Sequence, residues 1–220
     1  VSLRHTKLSY IDVPGGMSAV LTWDTLHLDP DDLMVDDAIY AFRGIELVGL
    51  KGFFRQEYIP PVATAAPPPP PPVDTSSPGF HLLLKKLQIR ESSFLYGSNG
   101  IGITTAWKIG ELVLRNSNLD QDSTRIQVGD LTIRNTAGTL AMVPGKDTTP
   151  PPPDTTPNTW QVFATQVNLD KLAMRYDNGS AAPKAAGPDP DYNHLLLTNF
   201  NSKISNIRYS PDSIIAGVKS

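Results

Sequence analysis

The chain contains no cysteine, which excludes disulfides, thiolate metal sites and cysteine nucleophiles. It has no run of about 18 apolar residues, so no segment is expected to cross a membrane as a helix. A dominant charge is missing too. Nineteen lysines and arginines stand against 22 aspartates and glutamates, and the basic residues are scattered singly. A nucleic-acid surface needs them clustered, so no nucleic-acid partner is expected. Catalytic signatures are lacking as well: there is no G-x-S-x-G elbow, no P-loop and no G-x-G-x-x-G. The four histidines, His5, His27, His81 and His194, are far apart and read as structural or surface residues. Carboxylate pairs at Asp31/Asp32, Asp36/Asp37, Asp120/Asp122 and Asp189/Asp191 fall in turn-like stretches and lack the further oxygens that calcium requires. The chain therefore reads as a non-enzyme with no cofactor and no metal.

What is present is a folding composition, with 40% hydrophobic and 19% charged residues. Proline divides it. Most of the 21 prolines fall in two tracts, and proline cannot donate to a β ladder, so both tracts read as loops. This gives β-repeat segments over 1–59, 80–143 and 159–220, separated by Pro-rich loops over 60–79 and 144–158. Gly179 to Asp191 reads as a third loop. A short helical turn near Ser210-Pro211-Asp212 is the only helix suggested. Val1 opens inside a strand-like pattern with no initiator Met, which reads as a fragment of something longer.

Between the loops the period is two. Ile101, Ile103, Thr105, Trp107 and Ile109 alternate with smaller or polar residues, and Leu26/Leu28, Ile45/Leu47, Ile126/Val128 and Leu195/Leu197 continue the pattern. A repeat runs through it. Leu87-Gln88-Ile89-Arg90-Glu91-Ser92, Leu112-Val113-Leu114-Arg115-Asn116-Ser117 and Leu131-Thr132-Ile133-Arg134-Asn135-Thr136 share the form L-x-[IL]-R-x-[ST], with a weaker echo at Leu172-Ala173-Met174-Arg175. In each copy two apolar side chains point to one face, and the Arg and the hydroxyl that follow are expected at the edge or on the wet face. Units of about 20 residues holding two short strands must stack to bury their apolar faces. Two closures are open: a dry β-solenoid, or a curved open sheet whose apolar trough needs an occupant. Unequal repeat lengths and long loops favour the open sheet. Its groove candidates are Leu26, Leu28, Ile45, Leu47, Leu87, Ile89, Ile101, Ile103, Trp107, Leu112, Leu114, Ile126, Val128, Leu131, Ile133, Leu172, Met174, Leu195 and Leu197. The expected fold is thus all-β: an elongated, curved repeat array of short strands with long Pro-rich loops.

The succession of L-x-I-R-N-S-x-L strands resembles the AsmA-like repeat superfamily. The stretch Val167 to Asp177, then Asp191-Tyr192-Asn193-His194-Leu195 and Ile204 to Ser220, is similar to its TamB-like branch. The resemblance covers most of 80–220 and, more loosely, 1–56; the Pro-rich insertions depart from the family's compact loops. It implies a periplasmic β groove that carries phospholipid between inner and outer membranes and supports outer-membrane biogenesis. It further implies an inner-membrane anchor outside this chain and an outer-membrane assembly partner of the BamA/TamA type. Asp147-Thr148-Thr149 and Asp154-Thr155-Thr156 look like sites that some Gram-negative envelope systems O-glycosylate. The alternative to lipid handling is a structural or adhesive cell-surface β module with a dry core.

Overall fold

Fold and register follow from a computed structural model that describes residues 1–60, 79–146, 159–179, 181–182, 184 and 191–219. Among them there are eleven strands and no helix. They are β1 (Ser2–Asp12), β2 (Met17–Met34), β3 (Ile39–Val48), β4 (Lys51–Gln56), β5 (His81–Ser98), β6 (Ile103–Asp120), β7 (Arg125–Arg134), β8 (Ala137–Met142), β9 (Gln161–Asn178), β10 (His194–Ser210) and β11 (Ser213–Lys219). All belong to one sheet, ordered β1-β2-β3-β5-β6-β7-β9-β10-β11, with β4 between β2 and β5 and β8 between β6 and β9. β3 with β4, and β7 with β8, therefore each form one interrupted strand. At about 4.8 Å per strand, nine positions make a ribbon about 40 Å across.

Neighbours are antiparallel except at two steps, β3/β4 to β5 and β7/β8 to β9, which are parallel. A parallel step cannot be closed by a hairpin. Gln56 lies opposite Ser98 at the far end of β5, so the chain must travel back a full strand, about 55 Å, to reach His81. The same holds from Met142, opposite Asn178, back to Gln161. The two Pro-rich tracts fall in these two return connections. Most of both tracts, with the Asp-Thr-Thr triplets and Asp189, lies outside the described residues.

Several strands are longer than the sequence pattern suggests. β2, β5, β6 and β9 each run 18 residues and β10 runs 17. The repeat motif does not mark the end of a two-strand unit; it marks a corner inside a long strand. Its fifth residue is left-handed in every copy: Glu91 at φ 51°, Asn116 at 51° and Asn135 at 48°. The hydroxyl that follows donates to the carbonyl two residues back, Ser92 to Arg90 at 2.8 Å, Thr136 to Arg134 at 2.9 Å and, more weakly, Ser117 to Arg115 at 3.4 Å. A fourth copy opens the chain as Val1-Ser2-Leu3-Arg4-His5-Thr6. There His5 is left-handed at φ 48°, and Thr6 donates to the Arg4 carbonyl at 3.1 Å. Gly49 (φ 68°) and Lys171 (φ 53°) make the equivalent corners in β3/β4 and β9. The echo at Leu172 to Arg175 is out of phase, because the corner of β9 precedes it at Lys171.

Four of these corners lie level with one another. Val48 pairs with Arg90, Arg90 with Glu111, Glu111 with Arg134 and Arg134 with Asp170, one residue before a corner in β3, β5, β7 and β9. A left-handed residue bends a strand and costs a non-glycine side chain about 1–2 kcal/mol. Asn bears that cost better than most, as at Asn116 and Asn135. Glu91→Asn is therefore expected to raise the urea midpoint, and Glu91→Val to lower stability by roughly 1–3 kcal/mol. Chemical denaturation of both variants checks this; a stabilising valine would rule out the left-handed corner.

Candidate functional site

Directly opposed residues on neighbouring strands share a face, so the register sorts the side chains into two surfaces. One ladder reads Leu28–Ile45–Leu87–Leu114–Leu131–Val167–Ile204. The next reads Leu26–Leu47–Ile89–Leu112–Ile133–Leu169. Beyond the corner the apolar face continues as Leu21–Gly52–Phe94–Trp107–Gly138–Met174–Leu197 and Ala19–Phe54–Tyr96–Thr105–Leu140–Tyr176–Leu195. On the other side of the first two ladders lie Leu119–Ile126–Val162 and Val128–Ala164–Ile207. Ile103 sits opposite Met142 at the rim, and Leu172 opposite Phe200 at the corner. Of the groove candidates, all but one lie on this face. The exception is Ile101, which falls in the tight turn before β6 and is 57% exposed. The turn begun at Ser98-Asn99-Gly100 runs on through Gly102 at φ 71°, so strand alternation starts only at Ile103.

The opposite face carries most of the polar side chains. Its ladders include Gln88–Val113–Thr132–Asn168–Lys203 and Arg90–Glu111–Arg134–Asp170. The motif arginines form cross-strand ion pairs there: Arg134 to Glu111 at 2.9 Å, and Arg90 to Glu46. Gln88 also donates to Glu111 at 3.0 Å. Arg43–Asp29 at 2.7 Å and Lys85–Asp31 at 2.6 Å continue the pattern toward the far rim.

Burial tells which way the corners turn. Glu91, Asn116, Asn135 and Lys171 are exposed, while Ser92 and Thr136, one residue on, are only 4% exposed. The crease therefore closes on the apolar side, which is the inner face. Among the described residues each strand touches only its neighbours in the sheet, so no second layer covers that face. No large side chain is fully buried, and the inner ladders are mostly half-buried. Toward the edges they open further, with Leu8 55%, Tyr10 49%, Leu197 39% and Phe200 37% exposed. Packing on the inner face is lateral: the Phe54 and Tyr96 rings stack at 5.8 Å, and Trp107 leans over Gly138, where a Cβ would lie 2.3 Å from the ring. The Trp23 indole N–H is buried with no hydrogen-bond partner.

Two smaller features escape a reading of spacing alone. β5–β6 register sets His81 opposite Asp120, and the imidazole lies 3.4 Å from Asp120 and 3.1 Å from Asp122. The three side chains offer ligand atoms within 4.8 Å of one another. Both ring nitrogens already face carboxylates, so the group reads as an ion-paired strand end. His194 likewise pairs with Asp177 at 2.8 Å. Pro211-Asp212 is the hairpin turn between β10 and β11, with no helix. Two hollows of about 490 and 470 Å³ are lined by outer-face residues on either side of Leu95.

Comparison with known proteins finds no family model, no curated protein and no solved structure that matches the chain. The resemblance to AsmA-like repeats therefore rests on the motif and its pattern alone.

On the outer face the Arg134 guanidinium, with help from Gln88, holds the Glu111 carboxyl below its ordinary value. A carboxylate depressed in the folded state adds stability above its unfolded pKa, and that stability is lost as pH falls through the folded value. Glu111→Gln is expected to lower the thermal midpoint slightly at pH 7, by the small contribution of an exposed pair, at most about 1 kcal/mol. The difference should close below about pH 4. Thermal scans of both proteins from pH 7 to pH 3 test it.

Proposed function

We propose that this chain is a non-catalytic β-groove segment that holds phospholipid acyl chains against its apolar inner face. On the resemblance to AsmA-like repeats, the lipid moves between the inner and outer membranes of a bacterial envelope, in support of outer-membrane biogenesis. A periplasmic location, an inner-membrane anchor beyond this chain and a partner of the BamA/TamA type belong to the same proposal.

The observation that carries it is the uncovered run of aliphatic ladders from Leu28 to Ile204, flanked on the reverse by ion pairs. A contiguous apolar surface of this size facing water is unfavourable and calls for an apolar occupant. Each methylene removed from water there contributes about 0.8 kcal/mol. A bilayer core is about 30 Å thick, so the chains of one leaflet span about 15 Å. A trough about 40 Å long accommodates them with room to slide. A dry structural module would need a second layer over the same ladders, and the described residues provide none.

Purified protein is expected to carry phospholipid detectable by native mass spectrometry or thin-layer analysis of an organic extract. Leu114→Asp, in the middle of the inner face, should lose most of it. Thr132→Asp, on the outer face one strand away, should keep it while showing the same circular dichroism. A lipid-free wild type, or equal retention by both variants, would contradict the proposal.

A further inference from the structure

The outer face carries one site that neither the ion-pair pattern nor the acyl trough explains. Before the corner, charged and amide side chains such as Gln88, Arg90, Glu111 and Arg134 cover much of this face. Beyond the corner they give way to small residues on three neighbouring strand positions: Ala106, Ala137 and Ala173, with Ser93 and Thr139 beside them. Ala106 opposes Thr139 and Thr139 opposes Arg175; Lys108 opposes Ala137 and Ala137 opposes Ala173. These two outer ladders border a cavity of about 490 Å³, a volume typical of small-molecule sites. Its rim holds aliphatic groups in water, Leu95 at 38% and Leu196 at 69% exposure. The lining is thus apolar at the floor and on two flanks, although it lies on the wet side of the sheet.

Cations stand on two sides of it. Ser93 lies directly between Lys51 on β4 and Lys108 on β6. Both lysines are exposed, and neither ammonium has an ion-pair or hydrogen-bond partner among the described residues. Arg175 stands at the opposite side of the floor, held at 3.2 Å by Asp177. Elsewhere on the outer face Arg90 pairs with Glu46, Arg134 with Glu111 and Lys85 with Asp31. Two unneutralised ammoniums on either side of a serine hydroxyl attract an anion, and the adjoining alanine floor takes the apolar group attached to it.

We infer that this outer-face cavity binds a single-chain anionic amphiphile, with its carboxylate between Lys51 and Lys108 over Ser93 and its tail across Ala106, Ala137 and Ala173. The site is separate from the inner trough and does not depend on it. The ligand is recognised by charge at one end and by an apolar floor at the other, so a neutral chain of equal length binds less well.

Decanoate, titrated below its micelle concentration into the ¹⁵N-labelled full chain, tests the assignment. Amide shifts are expected to cluster at Ser93, Ala106, Ala137 and Ala173. Lys51→Gln with Lys108→Gln should weaken decanoate at least tenfold and bring it level with decanol. Ala137→Leu, which fills the floor without touching charge, should abolish the shifts. Leu114→Asp, on the inner face, should leave them unchanged, so loss of the lipid trough and loss of this site are read separately. Shifts confined to the inner ladders, equal affinity for decanol, indifference to the double lysine variant, or no shifts at all would each overturn the inference.

Discussion

The fold depends on left-handed residues placed at one level in the interrupted strand β3/β4, in β5, in β7/β8 and in β9. A regular strand alternates faces without fail, so an 18-residue run of strict period two would stay in step from end to end. In β5 the inner residues are Leu87 and Ile89, then Ser92, Phe94 and Tyr96; the numbering passes from odd to even across Arg90-Glu91. Glu91 at φ 51° makes that step by turning two consecutive residues outward. Without it Phe94 and Tyr96 would face water beside Arg90. The corner thus bends the sheet and holds the apolar set on one face.

From this follows an unusual energetic situation for a domain of this size. Among the described residues the sheet has one layer, and of their apolar side chains only Leu84, Val113 and Ala164 fall below a tenth exposed. Stability must come from the ladder bonds and from lateral contacts between neighbouring rows, since there is no opposing layer to pack against. At the corner the motif hydroxyl donates to the carbonyl two residues back. Ser92 does this and also accepts from the Leu50 N–H at 3.1 Å, tying β5 to the interrupted strand beside it. The inner face stays half-buried, and the arginines of the same motif lie on its reverse.

Much of this was legible in the residues, and the limits are physical. Period-two alternation at Leu112/Leu114, Leu131/Ile133 and Leu195/Leu197 placed those residues on one face, and the recurrent L-x-[IL]-R-x-[ST] flagged a structural device. What that device does was hidden, because Glu91, Asn116 and Asn135 differ in chemistry and share only a backbone angle that spacing does not reveal. The first copy, Val1 to Thr6, escaped notice because Val replaces Leu and His fills the left-handed place. Ile101 was misplaced because an alternating run continues unbroken into a turn whose glycine, Gly102, sets the true start of β6. The pairing of His81 with Asp120 and Asp122, and of Ser93 with two lysines, depends on register between strands separated in sequence. Composition cannot supply that.

The central claim is that a hydrocarbon chain lies along the inner face, and Trp107, midway across it, reports on that directly. In a Trp23→Phe, Trp160→Phe background, Trp107 is the sole indole. Loaded with phospholipid brominated along its acyl chains, this protein should show strong quenching of its emission relative to the unbrominated lipid. Undiminished emission, with lipid demonstrably bound, would place the acyl chains elsewhere and contradict the account.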